Sequence, residues 1–281
     1  MSEFKTIAII GPGAMAEAII GGLLRKAITT PDCILVSGPR AERTAELQSR
    51  YGVKPYQDNS AAASQADAII LAIKPQRLSQ VLPELAGHIP SGALVLSIIA
   101  GATIPTLSEA LKHAAVVRSM PNTPAHIGEG VTVWAAAPAV SSEQRELARQ
   151  ILDALGQEVF VEDESYLDMA TALSGTGPAY VFLFMEGLID AGVHMGLPRR
   201  IAEQLVQQTI LGSVSYYQKN KIHPAQLRNQ VTSPGGTTAA ALYYLEKAGF
   251  RTAISRAIWA AYERTLELGR GLNTKPPDQK E

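Results

Sequence analysis

Gly11-Pro12-Gly13-Ala14-Met15-Ala16 is the first stretch whose residue types and spacing point to chemistry. It follows a short apolar run, Thr6–Ile10, and opens a helix-like stretch, Ala14–Lys26. A GxGxxA pattern alone is weak, but set between a strand and a helix it is the fingerprint of a dinucleotide phosphate site. Gly11 permits the tight turn, Gly13 lets the backbone approach a pyrophosphate, and the small Ala16 lets helix and strand pack closely. The helix N-terminus supplies free N–H groups and a positive dipole end. The bland alternative is a tight strand-to-helix turn without a ligand, and the strand–loop–helix context favours the phosphate reading.

The end of the second expected strand bears on which dinucleotide is bound. A ribose diol calls for Asp or Glu there, but this chain has Ser37-Gly38-Pro39-Arg40, with Arg43 one turn later and no acid before Glu42. A hydroxyl and two guanidiniums suit a 2′-phosphate, which Arg grips with paired hydrogen bonds. A solvated basic helix start is the alternative. The helix dipole opposes Arg40 at that position, so a bound anion is the more economical account. NADP is therefore favoured, with NADH still possible.

These residues need a scaffold. Thr6–Ile10, Asp32–Ser37, Ala68–Ile73, Leu94–Ile99 and Ala115–Met120 are strand candidates of largely continuous apolar character, as expected of strands buried on both faces of a parallel sheet. Polar helical stretches such as Arg40–Arg50 alternate with them, which gives a doubly wound, Rossmann-type α/β sheet. Val131–Ala136, a helix over Ser142–Leu155 with Ser141 or Ser142 as cap and Gly156 as stop, and Glu158–Val161 complete this domain, 1–162. Strand signals then vanish. Helices are expected over Tyr166–Met195 (interrupted by Ser174-Gly175-Thr176-Gly177-Pro178), Pro198–Gln218, Pro224–Val231, Ala239–Lys247 and Arg251–Leu268. They make an all-α domain, 163–272, followed by a polar tail, 273–281. Apolar residues nearly surround some late helices (Val181–Met185, Ile258–Ala261), so this domain is expected to dimerise.

Composition narrows the classes. The chain has 281 residues, 46% of them hydrophobic, and a formal net charge of -1, so neither a broad nucleic-acid surface nor an electrostatic membrane anchor is expected. No signal peptide is apparent, and no apolar run of membrane-spanning length is free of Gly, Pro or charge. A cytoplasmic protein is expected. The single Cys33 sits in an apolar segment and reads as buried packing. The five histidines show no metal-ligand spacing, and Glu162, Asp163, Glu164 and Asp168 read as a solvated acidic linker.

Five further stretches carry a resemblance: Ala72-Ile73-Lys74-Pro75, Ser97–Gly101, Arg118–Pro124, Ala172–Tyr180 and Val231–Thr238. In this order and spacing they closely resemble the pyrroline-5-carboxylate reductase family, with Ser-Pro-Gly-Gly-Thr-Thr and Ser-Gly-Thr-Gly-Pro-Ala-Tyr as the specific elements. The resemblance implies NAD(P)H-dependent reduction of Δ1-pyrroline-5-carboxylate, the last step of proline biosynthesis. It also implies a homodimer interlocked through the helical domain, often assembled further. By position, Gly11 to Ala16 would bind pyrophosphate, and Ser37, Gly38 and Arg40 the adenosine ribose or its phosphate. Asn59 would lie on the adenosine side, Ala72 to Pro75 and Ile98 to Ala100 would line the cofactor, and Ser233, Gly235, Gly236, Thr237 and Thr238 would hold the imino acid. The family's usual Ser at position 176 is Thr here, which keeps the hydroxyl. Some members carry an acid before the pair matching His223-Pro224, where this chain has Lys219, Lys221 and Ile222.

Read as chemistry, a protonated imine is already a strong hydride acceptor, so the enzyme must mainly align it and exclude water. Such positioning is worth up to roughly 7–11 kcal/mol. Pro-Gly-Gly exposes backbone N–H groups at a helix start, which suits a carboxylate, and the Thr238 hydroxyl can hydrogen-bond the ring nitrogen. Capping by Ser233 or Thr237 is the alternative. Lys74 reads equally as a phosphate contact or a solvated lysine, Arg118 as a loop brace, and Asn122 as a nicotinamide contact or a turn cap. A β-hydroxyacid dehydrogenase is the nearest rival, but it needs a lysine acid/base, and none occurs between Lys112 and Lys219. A silent NADPH sensor is the rival from another class, with no need of Ser233–Thr238.

Overall fold

The apolar runs form strands sealed on both faces: Ile7–Ile10 (β1), Ile34–Ser37 (β2), Ala68–Leu71 (β4) and Leu94–Ser97 (β5) are buried at every residue. The computed structural model describes residues 5–269, so the expected tail 273–281 and the end of the expected helical domain lie outside the described residues. Lys54–Tyr56 (β3), Val116–Met120 (β6), Gly130–Ala136 (β7) and Gly156–Phe160 (β8) complete one eight-stranded sheet, ordered β3-β2-β1-β4-β5-β6-β7-β8. Successive strand residues point to opposite faces. Ile7, Ile9, Val36 and Ile70 accordingly enter one core and Ala8, Ile10, Leu35 and Ile69 the other.

All pairings are parallel except β6 with β7. Only a 3-10 turn, Thr123–Ile127, lies between those two strands. A parallel crossover needs a dozen or more residues, so the short connection forces a reversal. Gly156, expected to stop a helix, instead begins β8 at φ +135°, where a Cβ would lie 2.1 Å from the Gly130 carbonyl oxygen.

The helices of this layer are Ala14–Arg25 (α1), Ala41–Tyr51 (α2), Asn59–Ala63 (α3), Leu78–Leu85 (α4), Ile104–Leu111 (α5) and Ser142–Asp153 (α6). Ser141 caps α6 in a reciprocal capping box with Gln144. The sequence reading has no counterpart of β3, α3, α4 or α5. β3 is a three-residue edge strand containing Pro55, and α3 is a single turn capped by Asp58.

Beyond β8 come Tyr166–Ala170 (α7), a π-helical turn at Thr171–Gly175, Gly177–His194 (α8), Arg199–Asn220 (α9), Pro224–Gln230 (α10), Thr237–Lys247 (α11) and Phe250–Gly269 (α12). The π turn is held by hydroxyls: Thr171 Oγ1 donates to the Leu167 oxygen (2.7 Å), Ser174 Oγ to that of Ala170 (2.9 Å) and Thr176 Oγ1 to that of Thr171 (2.9 Å). The chain divides into two compact units, one running up to Gly177 and resumed from Ala261, the other Pro178–Ala260. The expected boundary after Glu162 lies one helix earlier.

Taken alone, the second unit buries little. Phe182, Leu183, Met195 and Tyr244 are all more than 60% exposed, and an apolar groove of about 900 Å3 runs along Val181, Phe184, Leu188, Phe250 and Ile254. Among the described residues one stretch, Tyr166–His194, is long and apolar enough to cross a membrane by length and composition, and it carries Gly175, Gly177, Pro178 and Glu186 within it. Cys33 is half-buried rather than enclosed.

Candidate active site

The glycine loop closes on β4. Gly11 takes φ +100°, its N–H donates to the Ser37 carbonyl (2.9 Å), and a Cβ on it would lie 2.8 Å from the Ala72 oxygen. Gly13 is the cap residue of α1, with no side chain capping the helix, and a Cβ there would meet nothing within 4 Å. The first-turn N–H groups of α1 are thus presented through an open face. Ala16 is fully buried, as close helix–strand packing requires. Gly38 lies against Pro12, whose Cδ would be 2.3 Å from a Cβ.

A cleft of about 470 Å3 opens here, lined by Gly11, Pro12, Gly13, Gly38, Pro39, Arg40, Asn59, Ala72, Ile73 and Lys74. These nine expected positions and Pro39 converge from three loops and the start of α3. Ala14 and Met15 continue into α1, Pro75 starts the turn after Lys74, and Ile98 and Ala100 stand half-buried beyond β5; none of them lines the cleft. Gln57, Arg77, Gln80 and Glu84 line it unanticipated. A signal was available: Leu78, Val81, Leu82 and Leu85 have helical spacing, which puts Arg77, Gln80 and Glu84 on the opposite face.

Two expected contact residues are engaged by other side chains. Ser37 is fully buried and donates to Asn59 Oδ1 (2.7 Å), while Asn59 Nδ2 donates to Glu84 Oε2 (2.6 Å), so Ser37 orients Asn59 instead of meeting a ribose. Arg43 does not line the cleft. Its guanidinium donates to Glu17, to Glu46 Oε2 (2.7 Å) and, through Nε, to the Pro12 oxygen (3.1 Å). The carboxylates of Glu17 and Glu46 hold it where a 2′-phosphate was expected to. Arg40 has no side-chain partner among the described residues and lines the cleft. An open glycine face, uncapped N–H groups and a guanidinium at the rim fit a phosphorylated dinucleotide.

Arg43 is the main cause that keeps the Glu17 carboxyl below its ordinary value, aided by Tyr51 and Arg50. A depressed carboxyl stabilises the fold above its unfolded pKa and loses that contribution as pH falls through the folded one. Glu17→Gln is therefore expected to flatten the acid limb of a stability–pH profile below about pH 4.5, seen as a smaller drop in Tm between neutral and acidic buffer.

Arg118, Glu164 and Asp168 form a buried cluster, not a solvated linker. Arg118 is 2% exposed and pairs with Glu164 (3.0 Å) and Asp168 (2.5 Å), and Glu164 also accepts from the Ile104 N–H (2.8 Å). Asn122 is a brace: Nδ2 donates to the Ser174 oxygen (3.2 Å) and Oδ1 accepts from the Val131 N–H (3.0 Å).

The expected substrate residues belong to the second unit. Gly235 has φ +72°, the Gly236 N–H donates to the Ser233 oxygen (3.1 Å), and Gly236 is the cap residue of α11. No side chain caps that helix, so capping by Ser233 or Thr237 is absent. Thr237 and Thr238 occupy its first turn, where N–H groups lack intrahelical partners. His223, by contrast, caps α10 by accepting from the Ala225 N–H (3.1 Å).

Residues 164–268 match the family model described as pyrroline-5-carboxylate reductase dimerisation, and residues 6–101 that described as NADP oxidoreductase, coenzyme F420-dependent. A pyrroline-5-carboxylate reductase of Synechocystis is 44% identical over 264 residues, 94% of this chain and 98% of its own. One of Pseudomonas aeruginosa is 39% identical, over 95% and 97%. The solved structure of a Plasmodium falciparum pyrroline carboxylate reductase with NADP bound superposes with a TM-score of 0.88 at 34% identity, covering 95% of this chain and 99% of that one.

Proposed function

The chain belongs to the pyrroline-5-carboxylate reductase family, and from that premise we propose how its own residues reduce L-1-pyrroline-5-carboxylate to L-proline. The reaction is the last step of proline biosynthesis, and NADPH supplies the hydride to the imine carbon. Gly11 to Gly13 and the N-terminus of α1 hold the pyrophosphate, Arg40 the 2′-phosphate, and Asn59 and Lys74 the adenosine side of the cleft. NADH, lacking the phosphate, binds more weakly.

The observation that carries the substrate assignment is the uncapped start of α11. The carboxylate of the imino acid takes the N–H groups that no side chain there satisfies, in line with the helix dipole. Thr238 hydrogen-bonds the ring nitrogen through its hydroxyl and so orients the imine carbon for attack. Ser233 shapes the loop, since a Cβ at Gly236 would meet its Oγ at 2.5 Å. The iminium forms readily near neutral pH, so this assignment asks for orientation more than for a strong protein acid. The absence of any lysine between Lys112 and Lys219 weighs against alcohol oxidation by the same chain.

The enzyme is an oligomer acting on a small molecule. We take the finer assembly to be a homodimer through 163–272, with dimers assembled further, because the apolar side chains left open on the second unit are what one copy can cover on another. The same cover accounts for the apolar length of Tyr166–His194. We take the enzyme to be cytoplasmic, where a biosynthetic reductase draws on the soluble NADPH pool.

Thr238→Ala is expected to lower kcat by about a hundredfold, the scale of one group acting on a transferring proton or developing charge. NADPH affinity should stay within about threefold, less than a single net hydrogen bond. Oxidation of NADPH with pyrroline-5-carboxylate, with NADH in its place, and with a small 3-oxo acid tests the whole assignment. Weakened NADPH binding with intact turnover would remove Thr238 from the substrate site.

A further inference from the structure

Arg43 reaches the dinucleotide loop from behind. Its Nε donates to the Pro12 oxygen (3.1 Å), and the Gly13 N–H of the same peptide donates to the Gly11 oxygen (2.8 Å). Both ends of the Pro12–Gly13 peptide plane are thereby fixed, and with them the plane from which α1 starts. On its Gly13 side such a peptide is otherwise free to rotate, because glycine tolerates nearly any backbone angle.

Arg43 is itself held. Glu17, on the first turn of α1, accepts from Arg43 near the start of α2 and from Arg50 and Tyr51 (3.0 Å) at its end. Glu46 takes NH1. Nε, NH1 and NH2 are all engaged, and the side chains of Arg43 and Glu17 are 18% and 15% exposed. Turning Arg43 outward would leave a half-buried carboxylate and the Pro12 carbonyl without a donor. Arg40, three residues earlier, is exposed, unpartnered among the described residues, and part of the cleft.

We propose that Glu17 and Arg43 are a positioning couple for the phosphate loop, and that Arg40 reads the 2′-phosphate without Arg43. This rests on the cofactor assignment above. Arg43 then acts on what NADPH and NADH share, and Arg40 on what distinguishes them.

The test is a titration of the full-length enzyme with NADPH and with NADH, followed by nicotinamide fluorescence, with Tm recorded for each variant. Wild type binding neither cofactor would overturn the cofactor assignment itself, and is seen before any variant is compared. Arg43→Met is expected to weaken both cofactors about five- to tenfold, the loss of one charge-assisted hydrogen bond, with their ratio within twofold. Arg43→Lys keeps an ion pair for Glu17 but lacks the Nε donor, so it should hold the wild-type Tm and still weaken both. Glu17→Gln should weaken both cofactors more mildly, alongside the lower neutral-pH Tm that loss of its carboxylate brings, and add little to the affinity loss of Arg43→Met. Arg40→Ala should lower the NADPH-over-NADH ratio at least tenfold. Selective loss of NADPH in Arg43→Met or Arg43→Lys would overturn the proposal, as would unchanged affinity for both cofactors in those variants.

Discussion

Replacing Arg118 by alanine is expected to lower the unfolding free energy by about 3–5 kcal/mol, the usual result of removing one member of a buried ion pair. The guanidinium is 2% exposed and is the charge that Glu164 and Asp168 share. Without it two carboxylates, 24% and 16% exposed, face each other across a void. For a domain whose whole stability is of order 5–15 kcal/mol, that is a large share. Glu164→Gln should cost far less, about 1 kcal/mol, because Asp168 still pairs with Arg118 and the amide oxygen can still accept from the Ile104 N–H. Urea denaturation of both variants, followed by circular dichroism, decides it. Equal, small losses would mean that Arg118 is solvated in solution and the cluster contributes no more than a surface pair.

That cluster also shows what the sequence could not reveal. Glu164 and Asp168 stand near Asp163 in a polar run after the last strand, and such a run is solvated unless something distant needs it. The partner lies 46 and 50 residues upstream, in a strand where Arg118 reads only as a brace for the following loop. The partners of Arg43 were hidden in the same way. Its type and its place one turn after Arg40 suit a phosphate, and the competing carboxylate of Glu17 lies 26 residues earlier on another helix. Side-chain pairing over such separations is set by the fold, and a residue's type says only that it needs a partner.

Local signals fared better. β1, β2, β4, β5 and β6 were legible because a strand buried on both faces is built on a near-continuous apolar run. The glycine loop was legible because its glycines answer local demands, a backbone conformation at Gly11, with φ +100°, and an open face at Gly13. β3 was not, since a three-residue edge strand with a proline carries neither an apolar run nor a period. The reversed direction of β7 followed from the brevity of one connection, a feature that can be counted in the sequence. The π turn in Ser-Gly-Thr-Gly left a gap in the helical pattern, but hydroxyl-to-carbonyl bonds inside a helix leave no periodic trace.

Gly11→Ala and Gly13→Ala together separate the shape of the loop from what it binds. At Gly11 a methyl group would sit 2.8 Å from both the Ala72 oxygen and Ile73 Cγ2, in a left-handed backbone region that costs about 1–3 kcal/mol for such a residue. Ala72 and Ile73 line the cleft, so relief of that clash moves its wall. Gly11→Ala should therefore lower both Tm and the affinity for NADPH and NADH alike, the latter by roughly a hundredfold, equivalent to about 2.8 kcal/mol. At Gly13 the same methyl meets no protein atom within 4 Å. The backbone there is extended, a conformation any residue adopts. Gly13→Ala should leave Tm at the wild-type value and still weaken both cofactors at least tenfold, because the room the methyl fills is the room the pyrophosphate needs. Wild-type Tm with wild-type affinity in Gly13→Ala would remove the pyrophosphate from that face of α1. A Tm loss equal to that of Gly11→Ala would show instead that the loop packs more closely at Gly13 than its open face allows.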